Sequence, residues 1–364
     1  MRIRPRNYDF IDMTDVDVTC LCGKARCALR LAGSLPFRSS LCHATPCRHN
    51  LGALTHSALP LENRPDNLDC LKIVTLRDQS LERYFCGTCG SHVFEHEKQC
   101  WRVQSGAIDS LHSEQVFEAL EEVAGHQDVL DTRDGGLSGC FRIDTPLATQ
   151  ALQERAIPIT LTNALTTDES AVEHIQQKAS ERLDASCMCG GVKFQITRPN
   201  ETSKLCSSPW PDLLVPYHSS LPDNPGDVKW WICNEKWLAG TCACRSCRLG
   251  LGSPIQAWAF VSLRNIFLPD GRPLTYRTGT LQAYESSKGV LREFCRECGA
   301  TVFWHDSERP GVVDVSVGLL ECPNGALART WLNWHTQRVS FAEDAFDKMF
   351  ISRLESGLDH LTGS

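Results

Sequence analysis

At 364 residues the chain is longer than a single hydrophobic core usually supports, so two domains are expected. Its 44 acidic side chains outnumber 37 basic ones, and a net charge of −7 excludes the broad positive field of a nucleic-acid binder, while 42% hydrophobic content suits a folded globular chain. Neither a signal peptide nor an apolar run of about eighteen residues can be read, so no membrane partner and a cytoplasmic location are expected, and the 20 cysteines read as reduced thiols and metal ligands rather than disulfides.

In chain order, the first landmark is CLCGKARCALRL, Cys20 to Leu31, a C-x-C-G turn followed by alternating apolar residues that predict a strand. LCHATPCRHN follows from Leu41, FCGTCGSHVFEH from Phe85 and VQSGAID from Val103. The same four anchors return in the same order as CMCGGVKFQI from Cys187, TCACRSCRLG from Thr241, FCRECGATVFWH from Phe294 and VSVGLLE from Val315. A domain written twice is the consequence. The first copy spans residues 15–145 and the second residues 183–350.

Between the copies, residues 146–182 form a linker in which Val172, Ile175, Ala179 and Leu183 fall at helical spacing, predicting an amphipathic helix. Cys20 to Cys42 is a step of 22 residues, but Cys187 to Cys242 is one of 55, so the second copy carries an insert at about 205–238. That insert is rich in proline and tryptophan. It reads either as a lid beside a site or as packing in which Trp230, Trp231 and Trp237 join the core. Segments such as VKFQI, WAFVSL and VVDVSVGLL, separated by Gly, Pro and Asp, predict antiparallel strands, and the fold class is mainly β.

The cysteine spacings divide into two kinds. A C-x-C on one turn and a C-x-x-C on another can close four thiolates around one zinc, so Cys20, Cys22, Cys86 and Cys89 are expected to hold one structural ion, and Cys187, Cys189, Cys295 and Cys298 a second. Cys242, Cys244 and Cys247 offer only three sulfurs, which leaves a tetrahedral zinc one position for water or a substrate atom. A remote donor such as Cys233, His218 or His335 is the alternative that would close it. In the first copy Ala44 stands where the second has Cys244, so an intact open site is expected only in the second copy, with His43 and His49 as the candidate replacements beside Cys42 and Cys47.

These motifs, covering roughly residues 15–145 and 183–350, resemble the glutathione-dependent formaldehyde-activating enzyme family, which includes centromere protein V. The second copy carries its pattern as CMCG, CACRSCR and FCRECG, and the first as CLCG, a degenerate CHATPCR and FCGTCG. The resemblance implies two tandem β-tent zinc domains, a fold shared with type B methionine sulfoxide reductases, and a carbon–sulfur lyase-type reaction. Glutathione would serve as co-substrate, its thiol adding to an aldehyde or leaving a thiol adduct at the catalytic zinc held by Cys242, Cys244 and Cys247.

Around that centre, His335 is the candidate proton carrier and Arg245 and Arg248 the candidate contacts for a glutathione carboxylate. His305 has His96 as counterpart in the first copy and reads as structural. Two further readings stay open: a glutathione-independent zinc enzyme acting on a larger carbonyl metabolite, and a non-catalytic zinc-stabilised interaction module. The sequence does not define the oligomeric state.

Overall fold

The computed structural model describes residues 14–76, 80–112, 119–141, 181–206, 208 and 226–363. In the first half, β1 (Thr14–Val18), β2 (Cys27–Leu31) and β9 (Ile108–Leu111) form a small antiparallel sheet in the order β2-β1-β9. Along β1 the alternation places Val16 and Val18 inward, while Asp15 and Asp17 stand at the rim. A second sheet runs β4 (Ala58–Pro60), β8 (Cys100–Gln104), β7 (His92–Glu97), β6 (Leu81–Cys86), β5 (Leu71–Leu76). Between these sheets lie β3 (Phe37–Cys42), paired in parallel with β10 (Glu121–Gln127), and the short helix α1 (Thr45–Leu51).

The second half repeats this plan. β11 (Arg182–Ser186), β12 (Lys193–Thr197) and β16 (Ile266–Phe267) make the small sheet. The large sheet runs β13 (Ile232–Cys233), β14 (Lys236–Cys242), β15 (Gln256–Ser262), β20 (Val312–Ser316), β19 (Thr301–Asp306), β18 (Val290–Cys295), β17 (Leu281–Ser287), with β21 (Leu332–Trp334) parallel to β14. All seven residues of β15 are buried, as a central strand covered on both faces requires. Helix α2 (Arg245–Leu251) follows β14 as α1 follows β3, and both helices stop at a left-handed glycine, Gly52 and Gly252. Near the C-terminus, helix α3 (Lys348–Ser356) closes the set of three α-helices among the described residues.

The two halves meet in a reciprocal seam, much as the self-complementary face of a two-fold dimer would. A Cβ added to Gly52 would lie 2.2 Å from the Thr301 carbonyl oxygen, and one added to Gly252 would lie 2.2 Å from that of His92. Gly90 abuts Phe294, and Gly299 abuts Phe85. Asn50 Nδ2 donates to the Cys298 carbonyl at 2.8 Å, Met188 N to that of His49 at 3.0 Å, and Gly106 N to that of Gly252 at 3.1 Å. Helix α3 also crosses the seam: its cap Asp347 accepts the backbone N–H groups of Leu120 and Glu121, each at 2.9 Å, and Phe350 packs on Phe141.

Two expectations about connecting segments meet the structure differently. The linker helix falls almost wholly on residues 142–180, outside the described residues, but Leu183, assigned to its apolar face, belongs to β11 and is buried there. Pairing with β12 supplies its backbone partners, which overrides helical spacing. Trp230, Trp231 and Trp237 of the insert are core. Trp231 and Trp237 are fully buried, with Nε1 donating to the Ser203 and Thr197 carbonyls, and Trp230 packs edge-on against Phe260.

Candidate metal centres

Each C-x-C lies on the turn joining the first two strands of a small sheet, and each C-x-x-C on the turn joining two strands of a large one, β6 to β7 or β18 to β19. Folding therefore brings turns about 65 and 107 residues apart to single points. Cys20, Cys22, Cys86 and Cys89 offer four sulfurs within 4.8 Å of one another, as do Cys187, Cys189, Cys295 and Cys298. Cys20 and Cys22 Sγ stand 3.4 Å apart, Cys22 and Cys86 3.6 Å, Cys187 and Cys189 3.5 Å, and Cys189 and Cys295 3.5 Å. Ligand bonds of about 2.3 Å around a tetrahedral ion put sulfurs about 3.8 Å apart, so both sets fit a metal with little adjustment. Backbone N–H groups of Ala25 and Val192 donate to Cys20 and Cys187 Sγ, both at 3.3 Å. Those bonds favour thiolate over thiol.

Cys242, Cys244 and Cys247 form a third group within the same 4.8 Å limit, with no fourth Cys, His, Asp or Glu ligand among the described residues. Cys242 ends β14, Cys244 caps α2 and Cys247 lies in its first turn. The Cys247 N–H donates to Cys244 Sγ at 3.4 Å. Hydrogen bonds from Cys242 and Cys247 hold the Cys244 thiol far below its ordinary range, at about 2, and Cys242 is correspondingly pushed up. From β18 the buried guanidinium of Arg292 approaches Cys247 Sγ at 3.7 Å and donates to Ser246 Oγ at 2.9 Å. Burial works against that charge, but the neighbouring thiolates of Cys247 and Cys244 outweigh it and raise the Arg292 pKa. Two of three sulfurs are buried and Cys244 is partly exposed.

Against sequence families, residues 15–123 and 225–336 match the one described as glutathione-dependent formaldehyde-activating enzyme. The chain belongs to this family. A search of curated proteins returns no match. The second family match begins beyond Cys187 and Cys189, and the fold brings both to Cys295 and Cys298. As in the sequence reading, a mainly β architecture carries cysteine groups able to bind metal in both halves of this family member. No helix among the described residues is long and apolar enough to cross a membrane.

The other candidate residues have different surroundings. Arg248 is buried, donates through Nη1 to the Gly106 carbonyl at 2.7 Å and to that of Ile108, and stacks on Phe346. Its fork serves the seam, not a ligand carboxylate. Arg245 is exposed but makes a two-point pair with Asp109, at 3.0 and 2.9 Å. His335 is partly buried, its backbone N–H bonded to the Ala239 carbonyl, and it is not a member of any metal-ligand group. Cys233 likewise stays out of the third group, and His218 lies outside the described residues. His305 stacks on Tyr276 at 4.0 Å and contacts Glu293 at 3.2 Å, while His96 stacks on Trp101 and contacts Glu82 at 3.3 Å, matching structural roles in the two copies.

In the first copy the structure assembles a group the sequence reading missed. Cys42, Cys47 and His56 are buried, with one ligand atom from each within 4.8 Å of the others. His43 instead faces His126, Nε2 to Nδ1 at 3.0 Å, and neither His43 nor His49 joins the two cysteines. The signal was present: His56 stands 14 residues after Cys42, as Gln256 does after Cys242, and both residues pair across their strands with that cysteine.

Proposed function

We propose that this family member is a zinc-dependent carbon–sulfur lyase-type enzyme whose reactive centre is Cys242, Cys244 and Cys247. The two four-cysteine groups would hold structural zinc, in tandem domains spanning about residues 15–145 and 183–350. The observation that carries the reading is a compact set of three sulfurs, one partly exposed, in a chain that twice matches a family described by glutathione and formaldehyde. Zinc held by Cys242, Cys244 and Cys247 would supply a mild Lewis-acidic position suited to soft donors such as a thiol.

In the addition direction the sulfur of glutathione forms a bond to the carbonyl carbon, the carbonyl π pair moves to oxygen, and the thiol proton ends on the resulting hydroxyl. Cleavage reverses each transfer. Cys242 on a strand end and Cys244 and Cys247 on one helical turn fix the three sulfurs. Arg292 offsets their negative charge from beneath. Arg248 is taken up by the seam, and Arg245, exposed and paired with Asp109, would exchange that partner for a glutathione carboxylate. Burial of Trp230, Trp231 and Trp237 takes these three side chains out of any substrate pocket.

Cobalt substitution tests the reading. Glutathione titrated into the cobalt-loaded chain is expected to shift the thiolate-to-cobalt absorption, and Cys244→Ala to abolish both that shift and formation of S-hydroxymethylglutathione from glutathione and formaldehyde. Turnover surviving in Cys244→Ala would remove the three-cysteine centre from the chemistry.

A further inference from the structure

We propose that Cys42, Cys47 and His56 form a second reactive-type metal site in the first half, binding a Zn²⁺-class divalent cation with a mixed two-sulfur, one-nitrogen set. The inference goes beyond the activity assigned to the second half and stands whether or not that assignment holds.

Geometry is the first support. Cys42 and His56 are locked opposite each other by a reciprocal backbone pair, Cys42 N to His56 O at 3.0 Å and His56 N to Cys42 O at 3.3 Å. Cys47 enters from the first turn of α1, as Cys247 does from α2. The three donor atoms lie within 4.8 Å of one another and all three residues are buried. Two cysteines with one histidine is a ligand set used by catalytic zinc, and the fourth position is then left for water or substrate.

Charge is the second, independent support. Replacing Cys244 by Ala44 removes one negative charge from this half, yet the equivalent of Trp304 is Glu95, which restores one. Glu95 is buried, with Oε2 at 3.7 Å from His56 Nε2 and 3.5 Å from Arg83 Nε. Arg83 is the counterpart of Arg292, donates to Cys47 Sγ at 3.4 Å and lies against the His56 ring. With a divalent ion, two thiolates, neutral histidine, Arg83 and Glu95 sum to zero, and the half-buried Arg102, at 3.2 Å from Glu95 Oε1, adds a positive charge at the rim. The second half reaches the same total with a divalent ion, three thiolates and Arg292. Each centre therefore has buried countercharges beside its sulfurs, as buried ions require.

Access is the third. A cleft of about 690 Å³ runs alongside β3 and β4, and its lining includes Cys42, His56, Ser57, Glu95, Arg102 and Gln127. Such an ion, carrying two thiolates instead of three, is the stronger Lewis acid of the pair and favours oxygen donors over a third thiol.

The test counts metal on the full chain. After equilibration with zinc and removal of excess, four ions per chain are expected; His56→Gln, which installs the residue of the other copy, should bind one ion fewer with unchanged circular dichroism. Cys244→Ala reads the other centre separately and should also lose one, and the double variant two. An ion count unaffected by His56→Gln would overturn the proposal. Cadmium-113 resonance of the unsubstituted chain gives a second readout free of folding effects. A signal in the mixed sulfur–nitrogen range is expected beside the all-sulfur signals, and all-sulfur signals alone would refute the site.

Discussion

Arg83 and Arg292 occupy the same position on β6 and β18, and each approaches the helical cysteine of its candidate metal group, Cys47 Sγ at 3.4 Å and Cys247 Sγ at 3.7 Å. A guanidinium keeps its charge when buried, where a lysine would surrender its proton, so it is the cation that can sit beneath a thiolate group in a dry interior. Its effect on metal binding follows from competition between protons and metal for sulfur: a fixed positive charge favours the deprotonated ligand. Arg292→Met keeps the length and apolar stem while removing that charge. It is expected to weaken metal binding at Cys242, Cys244 and Cys247 by about 10- to 100-fold. Competition with a chromophoric chelator measures this, with the two four-cysteine groups as internal references. An unchanged affinity would reduce Arg292 to a packing residue.

At the level of elements, the cysteine turns were legible because C-x-C and C-x-x-C followed by glycine state both the ligand and the bend in one short word, as Gly90 and Gly299 at φ 79° and 75° illustrate. His56 was not, because strand pairing delivers it and no local word announces it. The nearer histidines fail for steric reasons: His43 adjoins Cys42 at a strand end, where successive side chains face apart, and His49 stands two places after Cys47 on a helix, where such pairs do not face each other. The insert was ambiguous because tryptophan serves a lid and a core equally well in composition; the Thr197 and Ser203 carbonyls that receive Trp237 and Trp231 decide it for those two side chains. A related point distinguishes glycines. Gly23 and Gly252 have nearly the same φ, 79° and 84°, but a Cβ at Gly23 meets nothing within 4 Å whereas one at Gly252 meets the His92 carbonyl. Gly23→Ala should therefore cost only the left-handed backbone penalty, about 1 to 2 kcal/mol. Gly252→Ala should cost more than about 3 kcal/mol, since a backbone atom of the other half must move. Urea unfolding of both variants checks the difference, and equal losses would mean the seam yields easily.

Across the whole molecule, a duplicated chain raises the question of whether its halves unfold separately. Interfaces between domains of one chain are commonly small and polar, which permits independent melting. Here the main apolar cluster contains Leu41, Leu54, Val123 and Phe141 from the first half together with Phe260, Val315 and Phe350 from the second. Glycine backbones approach carbonyls across the seam too closely for any side chain, and Asp347 binds Leu120 and Glu121 while capping α3 through the Phe350 N–H at 2.9 Å. Loss of either half would expose these groups on the other. A single calorimetric transition is therefore expected, with the van't Hoff enthalpy equal to the calorimetric one, in fully metal-loaded chain. Asp347→Ala makes the expectation sharper, because it removes a helix cap from one half and the acceptor of two backbone N–H groups of the other, for a cost of about 2 to 4 kcal/mol. If the halves act as one unit, that substitution lowers the whole transition without broadening it; two endotherms, only one of which moves, would show that the copies fold as separate bodies despite the seam.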